Sequence, residues 1–440
     1  MSQNSIGLKK TEYIKLSHSQ KRVYYLQNYY PGTTMWNILI SAIFKRSIKT
    51  DVLKKAINLF IKNNENARIR IADKKGGPFQ YISEYKETGV NYLDFSGAGG
   101  EEKFREWIET QAEKPFGPFF DADLFYFAIL KKEDGREGFF AKLHHIAFDG
   151  AAMVAVVNKI VEYYNKLESG AETVAEKFVS YFDYVGIEEK YIKSEDFKAD
   201  RKYWNKMYSR KTLPLEIKPG VETDDCAISR IFYEFPREIS EKVYQYSDEK
   251  KCSAFKVFMS SIYAYLHRIS HNEDIVVETA CHGRPPEFKN NTGMFVSNIA
   301  HRLEVFPDMK FSELVEKFIS SFGETVEHQR YPLDILIPYL IKKEHDIKNM
   351  FTVAIIQYYK NLYAEDVDTV SYNASESSNT LAFYISYDNK TKDKIEFFLD
   401  YKTAIFNGSE IKKMIAGLIN MLSDAVTHTD KKIADLKFSR

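Results

Sequence analysis

From Gly138 to His145 the chain alternates, with Phe139, Ala141 and Leu143 on one face and Phe140 and Lys142 on the other, which predicts a strand. Ala151 to Leu167 instead repeats with a helical period, its stripe made by Val154, Val157, Ile160, Val161 and Tyr164. Earlier, Ser17 to Tyr30 reads as a helix capped by Ser17 or Ser19, and Trp36 to Phe44 as a strand. Asp51 to Asn63 reads as a helix, with Leu53, Ala56, Ile57 and Phe60 in register. Past Glu168-Ser169-Gly170 the pattern blurs. Lys177 to Tyr208 is polar, charged and aromatic, helical in part, and is expected to run between lobes. The second half resumes with helices at Ser253–Ser270, Phe311–His328 and Ser409–Thr427. Strands alternate with them at Asp274–Ala280, Phe351–Tyr358, Leu381–Tyr387 and Ile395–Tyr401. The expected architecture is two α/β lobes, 1–175 and 176–440, with a ligand site in the cleft between them.

Composition changes little. The chain has 440 residues, and Lys plus Arg balance Asp plus Glu at 62 each, so there is no basic excess to drive binding to nucleic acid or a membrane surface. Cys226, Cys252 and Cys281 are too few and too widely spaced for a disulfide framework or a zinc ribbon. The N-terminus lacks an apolar core of the secretory type, and no window approaches a membrane span. A soluble, cytoplasmic, monomeric protein is expected.

The chemistry is concentrated in Leu143 to Gly150, LHHIAFDG, at the junction of the predicted strand and helix. Imidazole is the side chain that exchanges a proton near neutral pH, and a strand end holds it rigidly enough for base work or substrate positioning. Adjacent residues on a strand point to opposite faces, so only one of His144 and His145 can serve a given site. Asp149 can orient an imidazole or brace the loop through an arginine, and Gly150 reads as a turn position that a Cβ would resist. A satisfied pair of core histidines remains the competing reading. No His-x-x-x-His or Glu-x-x-His partner supports a metal, no Gly-x-Ser-x-Gly elbow supports a serine nucleophile, and no Gly-rich loop supports phosphate chemistry.

HHIAFDG matches the His-His-x-x-x-Asp-Gly signature of the condensation-domain superfamily, which includes peptide synthetase condensation and epimerisation domains and chloramphenicol acetyltransferase. Further segments resemble this family in its own order. LSHSQKRVYYL from Leu16 is similar to its Ser-x-x-Gln-x-Arg motif, NENARIRI from Asn64 to the second motif with Glu65 and Arg68 retained, and SYFDYV around Asp183 to the fourth. GMFVSNIAHR from Gly293 is similar to the fifth motif, with Ser297 in the usual Asn place, and HQRYPLDIL from His328 to the sixth. DYKTAIFNGSEI resembles the segment before the last helix, while the seventh motif, near Asp346 to Phe351, is degraded. Gly-Met-Phe-Val favours condensation over epimerisation.

The resemblance implies two acetyltransferase-like lobes in a V shape with a tunnel between them and a crossover segment near 285–305. It implies amide formation between a donor acyl thioester and an acceptor aminoacyl amine, each carried on the phosphopantetheine of a partner carrier protein. No cofactor or metal is expected on the domain itself. His145 would be base or positioner, and the Gly150 N–H an oxyanion donor. His144 and Asp149 would be structural, with Asp149 paired to Arg68 first and Arg284 second. Ser17, Gln20, Ser297, Asn298 and His328 are candidates for the tunnel lining. An adenylation domain is expected after IADLKFSR, and Ala151-Ala152, where many elongation domains carry Trp-Ser, suggests a starter domain taking a fatty acyl donor. An acyl-CoA-dependent acyltransferase and an inactive docking module are the alternatives.

Overall fold

The structure, a computed structural model, describes residues 11–117, 119–173, 179–221, 223–358 and 362–438. It divides the chain into two compact units. The first comprises Met1–Ile192, Arg284–Phe295 and Tyr363–Ala374, and the second Lys193–Gly283, Val296–Leu362 and Ser375–Arg440.

The first unit is built on a five-stranded sheet in the order Val367–Tyr372, Asn37–Phe44, Glu137–His144, Phe125–Lys131, Asn91–Asp94. The strand ending at His144 is central and pairs antiparallel with both neighbours. It is apolar on both faces because both are covered. The helices Thr50–Asn63 and Gly150–Glu168 pack together over the Phe139 face, where Phe60 meets Phe127 edge-on at 6.2 Å. Helix Gly100–Glu113 covers the opposite face, joining Phe104, Ile108 and Ala112 to Leu39, Ile43, Leu130 and Phe140. Trp107 meets Phe140 there at 4.9 Å. Burial of one such ring stabilises the unit by about 1.5–3 kcal/mol. Lys142, on this same face, is buried and donates to the carbonyls of Gln111 and Lys114; burial lowers its ammonium to about 8. A small sheet of Ile14–Lys15, Gly77–Ile82 and Ile69–Lys74 completes the unit.

The second unit has a six-stranded sheet in the order Ser297–Glu304, Asp274–Cys281, Val353–Gln357, Leu381–Ser386, Glu396–Lys402, Ile228–Glu234. Val353–Gln357 runs parallel to both neighbours, and the other pairs are antiparallel. Helices Arg237–Glu249, Ala254–Ser270, Phe311–Glu327 and Gly408–Thr427 pack against one another. Ala254–Ser270 is buried nearly all round, so its sequence is apolar nearly all round. Its Phe258 joins Phe235, Phe383 and Phe397 of the sheet side.

The division does not fall at residue 175. Helix Tyr181–Ile192 stays with the first unit because the Tyr181 N–H donates to Glu65 Oε1 at 2.5 Å and the His18 N–H to Glu188 Oε2 at 3.0 Å. The stretch expected from Lys177 to Tyr208 becomes two helices, Tyr181–Ile192 and Glu195–Met207, with the boundary between them; residues 177 and 178 lie outside the described residues. Two segments of later sequence also belong to the first unit, and one of them, Val367–Tyr372, adds a strand beside Asn37–Phe44. No helix among the described residues is long and apolar enough to cross a membrane.

Candidate active site

The strand Glu137–His144 delivers the two histidines to different environments. The His144 N–H donates to the Leu124 carbonyl and the His145 N–H to the Trp36 carbonyl, so the strand end is fastened on both sides. The His144 ring is buried, meets Phe116 and Phe119 at 5.4 and 5.3 Å, and accepts the Ile146 N–H on Nδ1 at 3.1 Å. Burial pushes it down to about 3, with the charges of His145 and Lys142 adding to the effect, so it is neutral and engaged. The alternation of faces required only that the two rings part, and this one is held in the packed interior.

His145 is only partly covered. Its ring meets the edge of Trp36 at 5.9 Å and 86°, and its Nδ1 finds no partner on another described residue. Burial lowers its pKa to about 4, helped by the positive charge of Arg22; Asp149 and the ring's contact with its own backbone carbonyl oppose the shift. At neutral pH the imidazole therefore carries no proton beyond its single N–H and has a lone pair to offer.

Asp149 caps helix Gly150–Glu168. Its Oδ1 accepts the Ala152 N–H at 2.7 Å, and its Oδ2 the Phe295 N–H at 2.9 Å. Arg284 Nη2 donates to both oxygens, at 2.8 and 3.0 Å, with side-chain exposures of 5% and 0% for the pair. The expected order of partners is thus reversed. Arg68 is occupied elsewhere, donating to the carbonyls of Ile61 and Lys62 at the end of helix Thr50–Asn63 and to Ser83. With both oxygens taken, the Asp149 carboxylate is committed to bracing.

Gly150 also departs from expectation. Its backbone is not in the left-handed region, and a Cβ on it would meet nothing within 4 Å. The residue is exposed, at the first helical position, where backbone N–H groups have no intrahelical partner.

The remaining motif residues converge on this brace. Ser17 caps helix His18–Tyr29 in a reciprocal box with Gln20, and its Oγ lies 2.9 Å from the Tyr181 hydroxyl, which donates to the Met294 carbonyl at 2.5 Å. Gln20 is hydrogen-bonded to Gln80. Gly293 lies so close to Tyr181 and Asn66 that a Cβ would come within 2.4 Å of the Tyr181 ring. Pieces of five sequence motifs thus meet in one unit around Asp149.

The family profile described as "Condensation domain" matches residues 10–439. The chain belongs to the condensation-domain family. Surfactin synthase subunit 1 of Bacillus subtilis (strain 168) is 29% identical over 434 residues, 96% of this chain and 12% of that protein's length. The chain therefore spans about an eighth of this relative. The fold resembles that of the first condensation domain of the calcium-dependent antibiotic synthetase, with TM-score 0.85, 18% identity and coverage of 98% of this chain and 99% of that one. It also resembles the starter condensation domain of a rhizomide synthetase variant in complex with C8-CoA, with TM-score 0.86, 18% identity and coverage of 97% and 98%. Condensation domains are acyltransferases that form amide bonds in peptide synthetases.

Within this condensation domain the candidates for the tunnel lining separate. Ser17 and Gln20 are fully buried and spent on capping, so neither presents a surface. Ser297, Asn298 and His328 belong to the second unit. Ser297 Oγ donates to the Gln329 carbonyl at 3.5 Å, and Asn298 Nδ2 donates to Glu278. His328 pairs with Asp200 at 2.6 Å and stacks on Tyr203 at 4.1 Å. Among the described residues no three His, Cys, Asp or Glu side chains gather to hold a metal ion. Sequence reasoning passed over Arg22, Trp36 and Tyr181. Arg22 and Tyr181 stand inside quoted motifs, and Trp36 directly precedes the strand beside the histidine strand.

Proposed function

We propose that this chain joins a donor acyl group to the amine of an acceptor aminoacyl group, both held as thioesters on the phosphopantetheine of partner carrier proteins. The acceptor nitrogen attacks the thioester carbonyl carbon. A C–N bond forms, the C–S bond breaks, and the donor sulfur leaves with a proton as a free thiol. His145 accepts the proton lost by the amine, or holds the amine while the tetrahedral intermediate forms; tethering of both reactants supplies much of the remaining rate. The Gly150 N–H, free at the helix start, is the proposed donor to the developing oxyanion. The observation that carries this reading is the partly covered His145 imidazole, its Nδ1 without a hydrogen-bond partner on another described residue, beside a fully braced Asp149.

The small residues Ala151 and Ala152 after Gly150, together with fold likeness to a starter domain bound to C8-CoA, support an acyl rather than a peptidyl donor. The test is a reconstituted reaction with acyl-loaded donor and aminoacyl-loaded acceptor carriers, read by mass spectrometry. Amide on the acceptor carrier is expected only when both are present. Equal product from soluble acyl-CoA without a donor carrier, or none with any acyl or peptidyl donor, would contradict the reading.

A further inference from the structure

His145 takes its place from the neighbouring strand as well as its own. Asn37 pairs with His144 in the antiparallel ladder, so one step further along Trp36 stands opposite His145, and opposed residues present their side chains to the same face. The His145 N–H donates to the Trp36 carbonyl at 2.8 Å, which carries the pairing past the end of the strand. The two rings meet at 5.9 Å and 86°, an edge-on contact. Trp36 is itself held. It is 8% exposed, the Arg22 guanidinium carbon lies 5.4 Å from its ring centroid, and the next N–H, that of Asn37, donates to the Thr34 carbonyl at 2.8 Å.

An imidazole that works on a substrate is commonly aimed by a hydrogen bond on its other nitrogen. His145 Nδ1 has no hydrogen-bond partner on another described residue, and both oxygens of Asp149 are engaged by Arg284, Ala152 and Phe295. The direction of the ring must then come from packing. We propose that Trp36 is a positioning residue for the reaction, its carbonyl fixing the backbone of His145 and its ring fixing the direction of the imidazole. This rests on the reading of His145 as the group that takes the proton or holds the amine. A misplacement of a reacting group by about 1 Å can cost on the order of 100-fold in rate. The Trp36 Nε1–H has no partner among the described residues, so the hold is made by the ring rather than by its N–H, and a phenyl ring should serve in its place.

The test is single-turnover amide formation, with the rate and the half-saturating concentration of each loaded carrier measured separately. Trp36→Leu, which keeps the carbonyl and removes the ring, is expected to lower the rate about 10–100-fold while half-saturation moves by less than about twofold. Trp36→Phe, which restores a ring, should recover most of that loss. In a His145→Ala background Trp36→Leu should add no further loss, since the ring it aims is gone. Melting temperatures check folding, and Trp36→Met carries the same test should Trp36→Leu not fold. A structural role alone would lower the melting temperature and leave the rate per folded molecule unchanged. A full rate in folded Trp36→Leu, a Trp36→Phe chain as slow as Trp36→Leu, or an equal loss with and without the His145 ring would overturn the proposal. An impaired His145→Ala beside an unimpaired Trp36→Leu rejects the role of Trp36 alone. A full rate in His145→Ala rejects the reading of His145 itself.

Discussion

At the scale of single residues, the site depends on a division of labour between two acceptors that the sequence places four positions apart. His145 Nδ1 has no hydrogen-bond partner on another described residue, while both oxygens of Asp149 are engaged. Removing one member of a buried ion pair strands the other, at about 3–5 kcal/mol. Asp149→Ala and Arg284→Ala are each expected to lose that much in denaturant unfolding, and the double variant clearly less than the sum. Additive losses would mean the two do not form one brace. Gly150→Pro should behave oppositely. The first helical position tolerates proline and the preceding Asp149 is extended, so the melting temperature should hold while loss of the N–H lowers amide formation. Unchanged activity would remove the Gly150 N–H from the mechanism. Strand alternation alone said that the two histidines part; which of them serves the site came from the family resemblance. The partner of Asp149 could not be settled from the sequence, because Arg284 lies far along the chain and only the folded segment Arg284–Phe295 brings it back.

At the scale of elements, the hydroxyl of Tyr181 ties three segments together: the cap of the first helix, helix Tyr181–Ile192 and the Gly293–Phe295 run. Tyr181→Phe removes those bonds while keeping the ring, and its loss is expected at about 1–3 kcal/mol, because buried partners are left unsatisfied. Gly293→Ala should cost a comparable amount through overpacking against the same ring. A variant of either kind with an unchanged unfolding midpoint would show that the segments do not depend on this joint. Long elements with a clear period, such as Gly150–Glu168 and Glu137–His144, were legible in the sequence to within a residue or two at each end. Short strands were not. Gly77–Ile82 contains a proline and no clear alternation, and Val367–Tyr372 is a strand only because Asn37–Phe44 offers it an edge. Such pairing is a long-range event that a local pattern cannot announce.

At the scale of the whole chain, three imidazoles are folded in their neutral form: His144 at about 3, His145 at about 4 and His301 at about 3, each lowered first by burial. The unfolded chain takes up these protons near the ordinary value of 6.5, so stability is full above that pH and is lost as pH falls toward 4 and 3. At pH 5 the penalty is on the order of 2 kcal/mol per ring. His301, held between Tyr263 and Ser321, is the ring to change. His301→Gln should reduce the difference in unfolding midpoint between pH 7 and pH 5 by about a third, one ring of three, and a parent chain equally stable at both would refute the assignment. Of the two later segments that belong to the first unit, Arg284–Phe295 overlaps the stretch near 285–305 that the family resemblance marked as a crossover, while Tyr363–Ala374 is too short to carry a boundary signal in the sequence. The central claim remains that the neutral His145 ring performs the proton or amine-holding step. The most direct measurement is single-turnover amide formation by His145→Ala, with both carriers loaded and folding verified by its melting temperature. A fall of roughly 10²–10⁴-fold is predicted, and a rate equal to that of the unaltered chain would contradict it.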